Sequence, residues 1–457
     1  MMKRILYLFM ICLAMASCKK DSFVSDFDQK PEERMAESIA SVTNTLTSAP
    51  NGWIATLPTN AGGAYGFYMA FDENQNVTMY ADLNDNTAKT LGKSTFRVKS
   101  VLGTELIFDT YNYISMLADP NNSVFGGAGN TGFKSDVEFT YVRSTPDSIF
   151  FIGKAYRQTL AMVKATVAQK AAYTAEGLKT SSDKLKSFFA TTQNPYIEVG
   201  TGSSLVKAGL SVNFTNVLAS GKRTTLTGIL ADGKTVVSAT NKIALTTDGI
   251  SMTSGGLVFQ GVTLVKFAWK DGTTLAMYDV AGKEYIIKSS PIPLTPLPLL
   301  FGYPTNYAYR KISIGGTSPI AGGAMLPSGI TSQFNIIYQA LVTRLAGLTP
   351  ARTIVGISFA LTSNSTAVVN ISPNNGTTTF SANATFNYSI TDGVITLTSP
   401  VYDGNWTARG TEYDGIKNFF LSGPFKIDWV TSTSNNVGLI GGLYRTADVS
   451  SFMYGTL

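Results

Sequence analysis

Phe386-Asn387-Tyr388-Ser389-Ile390-Thr391-Asp392-Gly393-Val394-Ile395-Thr396-Leu397-Thr398-Ser399 reads as a strand, a tight turn and a returning strand. Apolar and polar residues alternate on both arms, as they do where one face of a strand is buried. Asp392-Gly393 suits the positive φ values of a short hairpin turn. Lys242-Ile243-Ala244-Leu245-Thr246-Thr247-Asp248-Gly249-Ile250-Ser251-Met252-Thr253-Ser254 matches it, with Asp248-Gly249 at the corresponding place. A looser third copy is Phe96–Gly103 followed by Glu105–Asp109. Asp147–Lys154 in turn parallels Val437–Tyr444.

Recurrence of one supersecondary unit along a chain points to repeated modules. The expected fold is mainly β with a few helices, a β-rich α+β protein. It has two to three related antiparallel β-sheet modules, each with a preceding helix. The boundaries read as a first module over 30–165, a second over 166–290 and a third over 320–457. Residues 291–319 form a Pro/Gly-rich linker. Its core, Pro291-Ile292-Pro293-Leu294-Thr295-Pro296-Leu297-Pro298, carries too many prolines for a central strand and should be extended and semi-rigid. It either packs into a groove between modules or presents a docking strip.

Helical periodicity is clear in two places. Pro31 opens a helix that Asp28 can cap, with Met35, Ile39, Val42 and Leu46 on one face. Ser328–Leu345 carries Phe334, Ile337, Leu341 and Leu345 on another stripe. A weaker helical region covers Val167–Ala190.

The composition excludes more chemistry than it proposes. Of 457 residues, none is histidine and two are cysteine. Ser-His-Asp and Cys-His nucleophile systems are therefore absent, as are zinc sites of the Cys/His type. No metal site and no cofactor is expected. Charged residues make up 14% of the chain against a usual ~25%, while hydrophobic residues reach 44%. The net charge of +6 is scattered, with no basic run interleaved with aromatics, so nucleic-acid binding is not expected.

The N-terminus indicates a compartment. Lys3 and Arg4 precede the apolar run Ile5–Ala16, and Ala14-Met15-Ala16-Ser17 leads to Cys18. Residues 1–17 read as a lipoprotein signal peptide, Cys18 as the lipidation site and 18–29 as a tether. Twelve apolar residues are too few to cross a bilayer, which takes ~20. Fatty-acyl chains of the palmitate kind on Cys18 would tie the protein to the outer membrane, on its surface or its periplasmic face.

Candidate binding residues gather in Tyr402-Asp403-Gly404-Asn405-Trp406-Thr407-Ala408-Arg409-Gly410-Thr411-Glu412-Tyr413-Asp414, read as a loop. Tyr402, Trp406 and Tyr413 would offer faces for sugar rings, and Asp403, Glu412 and Asp414 would bond hydroxyls. Phe108-Asp109-Thr110-Tyr111-Asn112-Tyr113 holds the same place in the first module, with Tyr111 and Tyr113 as its candidates. The same aromatics would otherwise fill a core, with the polar residues making turns. Asp72–Asn76 and Asp82–Asn86 space oxygens as calcium loops do, but lack the glycine and glutamate that such a loop needs. They read as turns.

The lipobox, the early helix, Gly52-Trp53-Ile54 leading to Gly62-Gly63-Ala64-Tyr65-Gly66-Phe67, and Phe108-Asp109-Thr110-Tyr111-Asn112 resemble the Bacteroidetes lipoprotein family of unknown function numbered 4302. The resemblance implies membership in loci with SusC/SusD-type outer-membrane uptake systems, and SusC/SusD-like partners. It brings no catalytic residue. The expected function is a non-enzymatic, outer-membrane-anchored component that binds a glycan or peptide nutrient. The alternatives are a structural or adhesive surface protein and a carboxylate-dependent glycoside hydrolase using Asp403, Glu412 or Asp414.

Overall fold

A computed structural model of the chain describes residues 29–101, 103–304, 307–315, 324–434 and 438–457. The signal peptide, Cys18 and nearly all of the tether lie outside the described residues. Strand makes up 42% and helix 22%, in antiparallel sheets with a few helices, the mainly β class that the alternating pattern implies.

Eight strands between Trp53 and Lys164 form an antiparallel meander in which each pairs with the next. The first and last close the cylinder from Trp53↔Lys164 to Thr56↔Ala161. Eight strands leave an interior just wide enough for side chains to fill. Trp53, Phe67, Phe96, Phe139 and Phe151 fill this one. Eight more strands between Lys311 and Thr456 form a second closed barrel, joined at Ser313↔Thr456. Its strand Thr366–Asn374 alternates half-buried and buried at every position.

Between the barrels, nine strands from Tyr196 to Ile286 form one sheet. Its two edges meet. Tyr196 N–H donates to Lys288 O at 2.9 Å and Lys288 N–H returns to Tyr196 O at 2.8 Å. Lys288 Nζ lies 2.7 Å from Glu198 beside this bridge.

The three repeated hairpins occupy the same ordinal place. Gly92–Ser100 with Thr104–Phe108, Val236–Thr246 with Gly249–Met252, and Ala382–Thr391 with Val394–Tyr402 are each the fourth and fifth strands of their sheet. Ser148–Gly153 and Ile440–Arg445 are each the seventh strand of a barrel. One turn differs from its expected register. Thr391 pairs with Val394 across Asp392-Gly393, both at positive φ, whereas Thr246 pairs with Gly249, so Thr247-Asp248 makes the turn. Gly249 is kept small by packing: a Cβ there would meet Phe267 O at 2.2 Å.

Several boundaries depart from the sequence reading. Asp28 lies outside the described residues, and the first helix, Pro31–Thr47, starts after Lys30, whose N–H donates to Glu33 at 3.3 Å. The helical region after Val167 is two helices, Val167–Thr174 and Gly177–Thr191, broken where Glu176 turns left-handed at φ 59°. The helix expected from Ser328 begins at Phe334. Ser332 Oγ accepts from both Phe334 N–H and Phe452 N–H, which ties the preceding segment to the barrel wall. Lys311–Ile314, read as linker, is the first strand of the second barrel, so that barrel's helix follows its first strand. The proline segment, expected to be extended, bends at 291–292 and again at 294–295 and then makes one helical turn, Leu297–Leu300. It is strapped down rather than free: Trp429 Nε1 donates to Thr295 O at 2.7 Å, and Leu297 and Phe301 are buried.

The first barrel presses its wall on the middle sheet. Tyr68 and Tyr80 leave the barrel surface to join the middle core, where Tyr68 stacks on Tyr173 at 5.1 Å. Gly66 makes the approach possible, because a Cβ on it would lie 2.1 Å from Leu245 O. The Gly62–Phe67 motif thus serves a backbone-to-backbone contact between bodies.

Candidate functional site

The structure sets the expected aromatic group inside the second barrel's cover. Residues 410–421 are a helix, not a loop, and Gly404–Thr407 is a short one before it. Tyr402, Trp406 and Tyr413 do come together, with ring centroids 5.5 and 5.2 Å apart. Trp406 is only 2% exposed and Tyr413 1%, so their faces pack against the core instead of facing a cleft. The helix 410–421 has Tyr413, Ile416, Phe419 and Phe420 buried, while Phe334 of helix Phe334–Ala346 meets Phe419 at 4.9 Å.

The carboxylates of this stretch perform local tasks. Asp403 Oδ1 accepts from Trp406 N–H at 2.8 Å, capping the short helix, and Oδ2 accepts from Asn383 N–H at 2.9 Å. Glu412 stands in the first turn of its helix and accepts from Thr411 Oγ1 at 3.1 Å. Asp414 is half-buried on the same helix. Burial pushes the Tyr402 and Tyr413 phenols above the usual tyrosine range.

Tyr111 and Tyr113 hold the equivalent connection, between the fifth and sixth strands, on the other barrel. Tyr111 is 59% exposed and donates to Asp119 at 2.5 Å. Burial and that bond raise its pKa to about 12. Tyr113 donates to Thr90 O at 2.9 Å behind the cap made by Asn112. The two aromatic groups therefore sit on separate barrels and build no common site.

Asp72 and Asp82 both serve the fold. Asp72 accepts from the N–H groups of Asn74 and Asn76, closing a turn. Asp82 is buried against Lys222. Among the described residues no cluster of three or more acidic, histidine or cysteine side chains is placed to hold a metal.

Two concavities flank the proline strap. One, of about 610 Å³, lies between the end of helix Gly177–Thr191, the strap at Pro291–Pro293, and Trp429, Val430, Leu439 and Ile440 of the second barrel. The other, of about 320 Å³, lies between the middle sheet at Gly209–Ser211 and Thr225–Thr227, the strap, Tyr309 and Trp429. Asn194, Pro293, Trp429 and Leu439 line both, so the two form one groove. Among the described residues no charged side chain lines either cavity; the polar groups include threonine and serine hydroxyls, the amides of Gln193 and Asn194, and Tyr309. Tyr309 meets Trp429 edge-on at 6.1 Å. The hydroxyls come from the outward face of strand Arg223–Ile229, whose Leu226 points into the core.

Sequence reasoning marked the strap but not its walls. Thr225, Thr227 and Asn194 look like ordinary surface positions until the second barrel is brought against them. Trp429, one of four tryptophans in the chain, carried a signal in its residue type but was not among the expected site residues.

These features define a class: a β-protein of two closed barrels and a bridged sheet, with an uncharged groove at a junction. The chain belongs to the family described as a domain of unknown function, DUF4302, whose profile matches residues 25–271. That span takes in the first barrel and most of the middle sheet, so the groove joins family residues to a C-terminal barrel beyond the match. No curated protein matches the chain.

Proposed function

We propose that this is a lipid-anchored envelope protein that holds an uncharged chain ligand, a glycan or peptide, in the strap groove, as a non-enzymatic accessory of an outer-membrane uptake system. The observation that carries the binding role is the wall chemistry of the groove. Concave sites with apolar surface and a few convergent polar groups are where ligands bind, and this one offers hydroxyls and amides but no carboxylate or ammonium to move a proton. The anchor is supported by Lys3, Arg4, the Ile5–Ala16 run and Cys18. Among the described residues no helix is long and apolar enough to cross a membrane. The uptake role, and SusC/SusD-like partners, rest on the family resemblance of the Gly52–Phe67 and Phe108–Asn112 stretches.

Two measurements test this. Expressed with its own leader in a lipoprotein-processing host, the protein is expected in the membrane fraction with acyl mass on Cys18, and Cys18→Ala is expected in the soluble fraction. The mature chain is expected to bind at least one uncharged polymer, with binding lost in Thr227→Trp, which fills the smaller cavity. Absence of acyl mass sinks the anchor. Binding unaffected by Thr227→Trp sinks the groove.

A further inference from the structure

We infer that the occupant of the strap groove is a neutral glycan segment running through both cavities past the edge of Trp429. The inference rests on the ligand-binding reading above and names its substrate class.

A peptide captured in extended form gains its affinity by adding to an unpaired strand edge. This molecule keeps such edges out of the groove. Both barrels are closed, and the edges of the middle sheet join at Tyr196 and Lys288. The strap is no substitute. Its prolines have no N–H to donate, and the carbonyls of Pro291 and Thr295 are taken by Gln193 Nε2 and Trp429 Nε1. An incoming main chain would find no strand edge to extend there.

A charged polymer fares no better. The chain carries 36 basic and 30 acidic side chains, yet none of those among the described residues lines either cavity. Sugar hydroxyls donate and accept at once, and so do serine and threonine hydroxyls such as those of these walls; Gln193 and Asn194, whose amide nitrogens donate to Pro291 O and Ser290 O, add carbonyl oxygens as acceptors. The apolar CH faces of a sugar need flat or smooth apolar surface beside those groups. Pro293 and Leu439, with the small uncovered part of Trp429, which is 7% exposed, supply it where the cavities meet. With about 610 and 320 Å³ on either side of that shared wall, the groove suits a chain longer than one ring.

The mature protein is run through native gels containing starch, mixed-linkage β-glucan, xylan or mannan, and through one with acidic polygalacturonate. Labelled uncharged peptides are tested in solution. At least one neutral polysaccharide is expected to retard the protein. Its affinity should stay within about twofold between low and high salt, since no charge pair is there to be screened. Thr192→Trp in the larger cavity and Thr227→Trp in the smaller should each weaken it at least tenfold, while Val280→Trp, at a position 70% exposed on a turn of the middle sheet outside the lining, leaves it unchanged. Uncharged peptides that bind in a Thr227-dependent manner, with no glycan bound, overturn the glycan assignment and keep the groove. Retardation only by polygalacturonate, steeply salt-dependent, overturns the assignment as well. No Thr192- or Thr227-dependent binding of any probe overturns both readings.

Discussion

Lys222 Nζ and Asp82 Oδ2 meet at 2.7 Å, with side chains only 3% and 1% exposed, and so join the middle sheet to the first barrel. The carboxylate is fully engaged. Its Oδ1 accepts from Gly66 N–H at 2.9 Å, and its Oδ2 also accepts from Leu245 N–H at 2.5 Å. Lys222 adds a bond to Asp82 O at 3.1 Å. Burial pushes the lysine below its usual pKa range, and the Asp82 carboxylate opposes that push. Asp82 sits in a segment that resembles a calcium loop by spacing alone; its partner is a side chain 140 positions away.

Removing one member of such a pair leaves the other charge buried, at a cost of about 3–5 kcal/mol. Asp82→Ala should be the more damaging change, because it also strips two backbone N–H groups of their acceptor. Lys222→Met should cost less, since Asp82 keeps both of those bonds. Denaturant midpoints of the three proteins check the order. Equal midpoints for wild type and Asp82→Ala would show that the pin contributes nothing.

Gly66 tests the same junction through shape. An added methyl would lie 2.1 Å from Leu245 O, a backbone atom that cannot swing aside. Gly66→Ala should therefore displace the barrel wall from the sheet and destabilise the chain by about 1–3 kcal/mol. Limited proteolysis should find faster cleavage between the first barrel and the middle sheet. Gly376→Ala, whose Cβ would meet nothing within 4 Å, is the comparison, with strain from its φ of 95° its only cost.

These contacts mark how far the sequence could be read. Hairpin arms such as Phe386–Ser399 are local, so alternation and a turn dipeptide were enough to find them. Closure into barrels was not legible, because Trp53↔Lys164 and Ser313↔Thr456 join residues more than a hundred positions apart. The helix Gly410–Leu421 was hidden by the glycines at 410 and 415 and by polar residues that suit a loop equally well. The aromatic trio was found as a group but not as a core, since burial is set by the helix packed above it. The groove was least visible of all. Its walls come from helix end, sheet face, strap and second barrel, and each contributes residue types that are unremarked alone.

Tyrosine ionisation should report on these cores. Burial raises Tyr338 and Tyr444 to about 12, and drives Tyr65 and Tyr173 up by a wider margin. A phenol raised in the fold but ordinary when unfolded binds more proton in the native state above pH ~10. Stability is then full below that pH and falls as pH rises towards the folded value. An absorbance titration of the 21 tyrosines should show an exposed set ionising near pH 10 and a second set ionising only with loss of near-ultraviolet circular dichroism, before pH ~12. One smooth transition near pH 10 with the fold intact would contradict the packing of Tyr338 against Ala324 O and of Tyr444 on Phe452 at 4.4 Å.

The stretch 402–414 separates a structural role from a catalytic one. If Trp406 fills the cover of the second barrel, Trp406→Ala removes a side chain that is 2% exposed and should cost about 3–5 kcal/mol. Asp403→Ala removes a helix cap and the acceptor for Asn383, a loss of about 1–2 kcal/mol. Glu412→Ala and Asp414→Ala, on a half-buried helix flank, should stay within about 0.5 kcal/mol. Groove binding should survive in all four at temperatures where they remain folded, because none of these residues lines either cavity. The graded order in melting temperature, together with unchanged affinity for whatever the wild type binds, is the signature of a core. Carboxylate-dependent hydrolysis would give the reverse: polysaccharide turnover abolished by Asp403→Ala, Glu412→Ala or Asp414→Ala with the melting temperature hardly moved. Asp403 makes that reverse pattern hard to obtain, since both of its oxygens accept backbone N–H bonds that hold the short helix and Asn383 in place, so its loss moves the melting temperature.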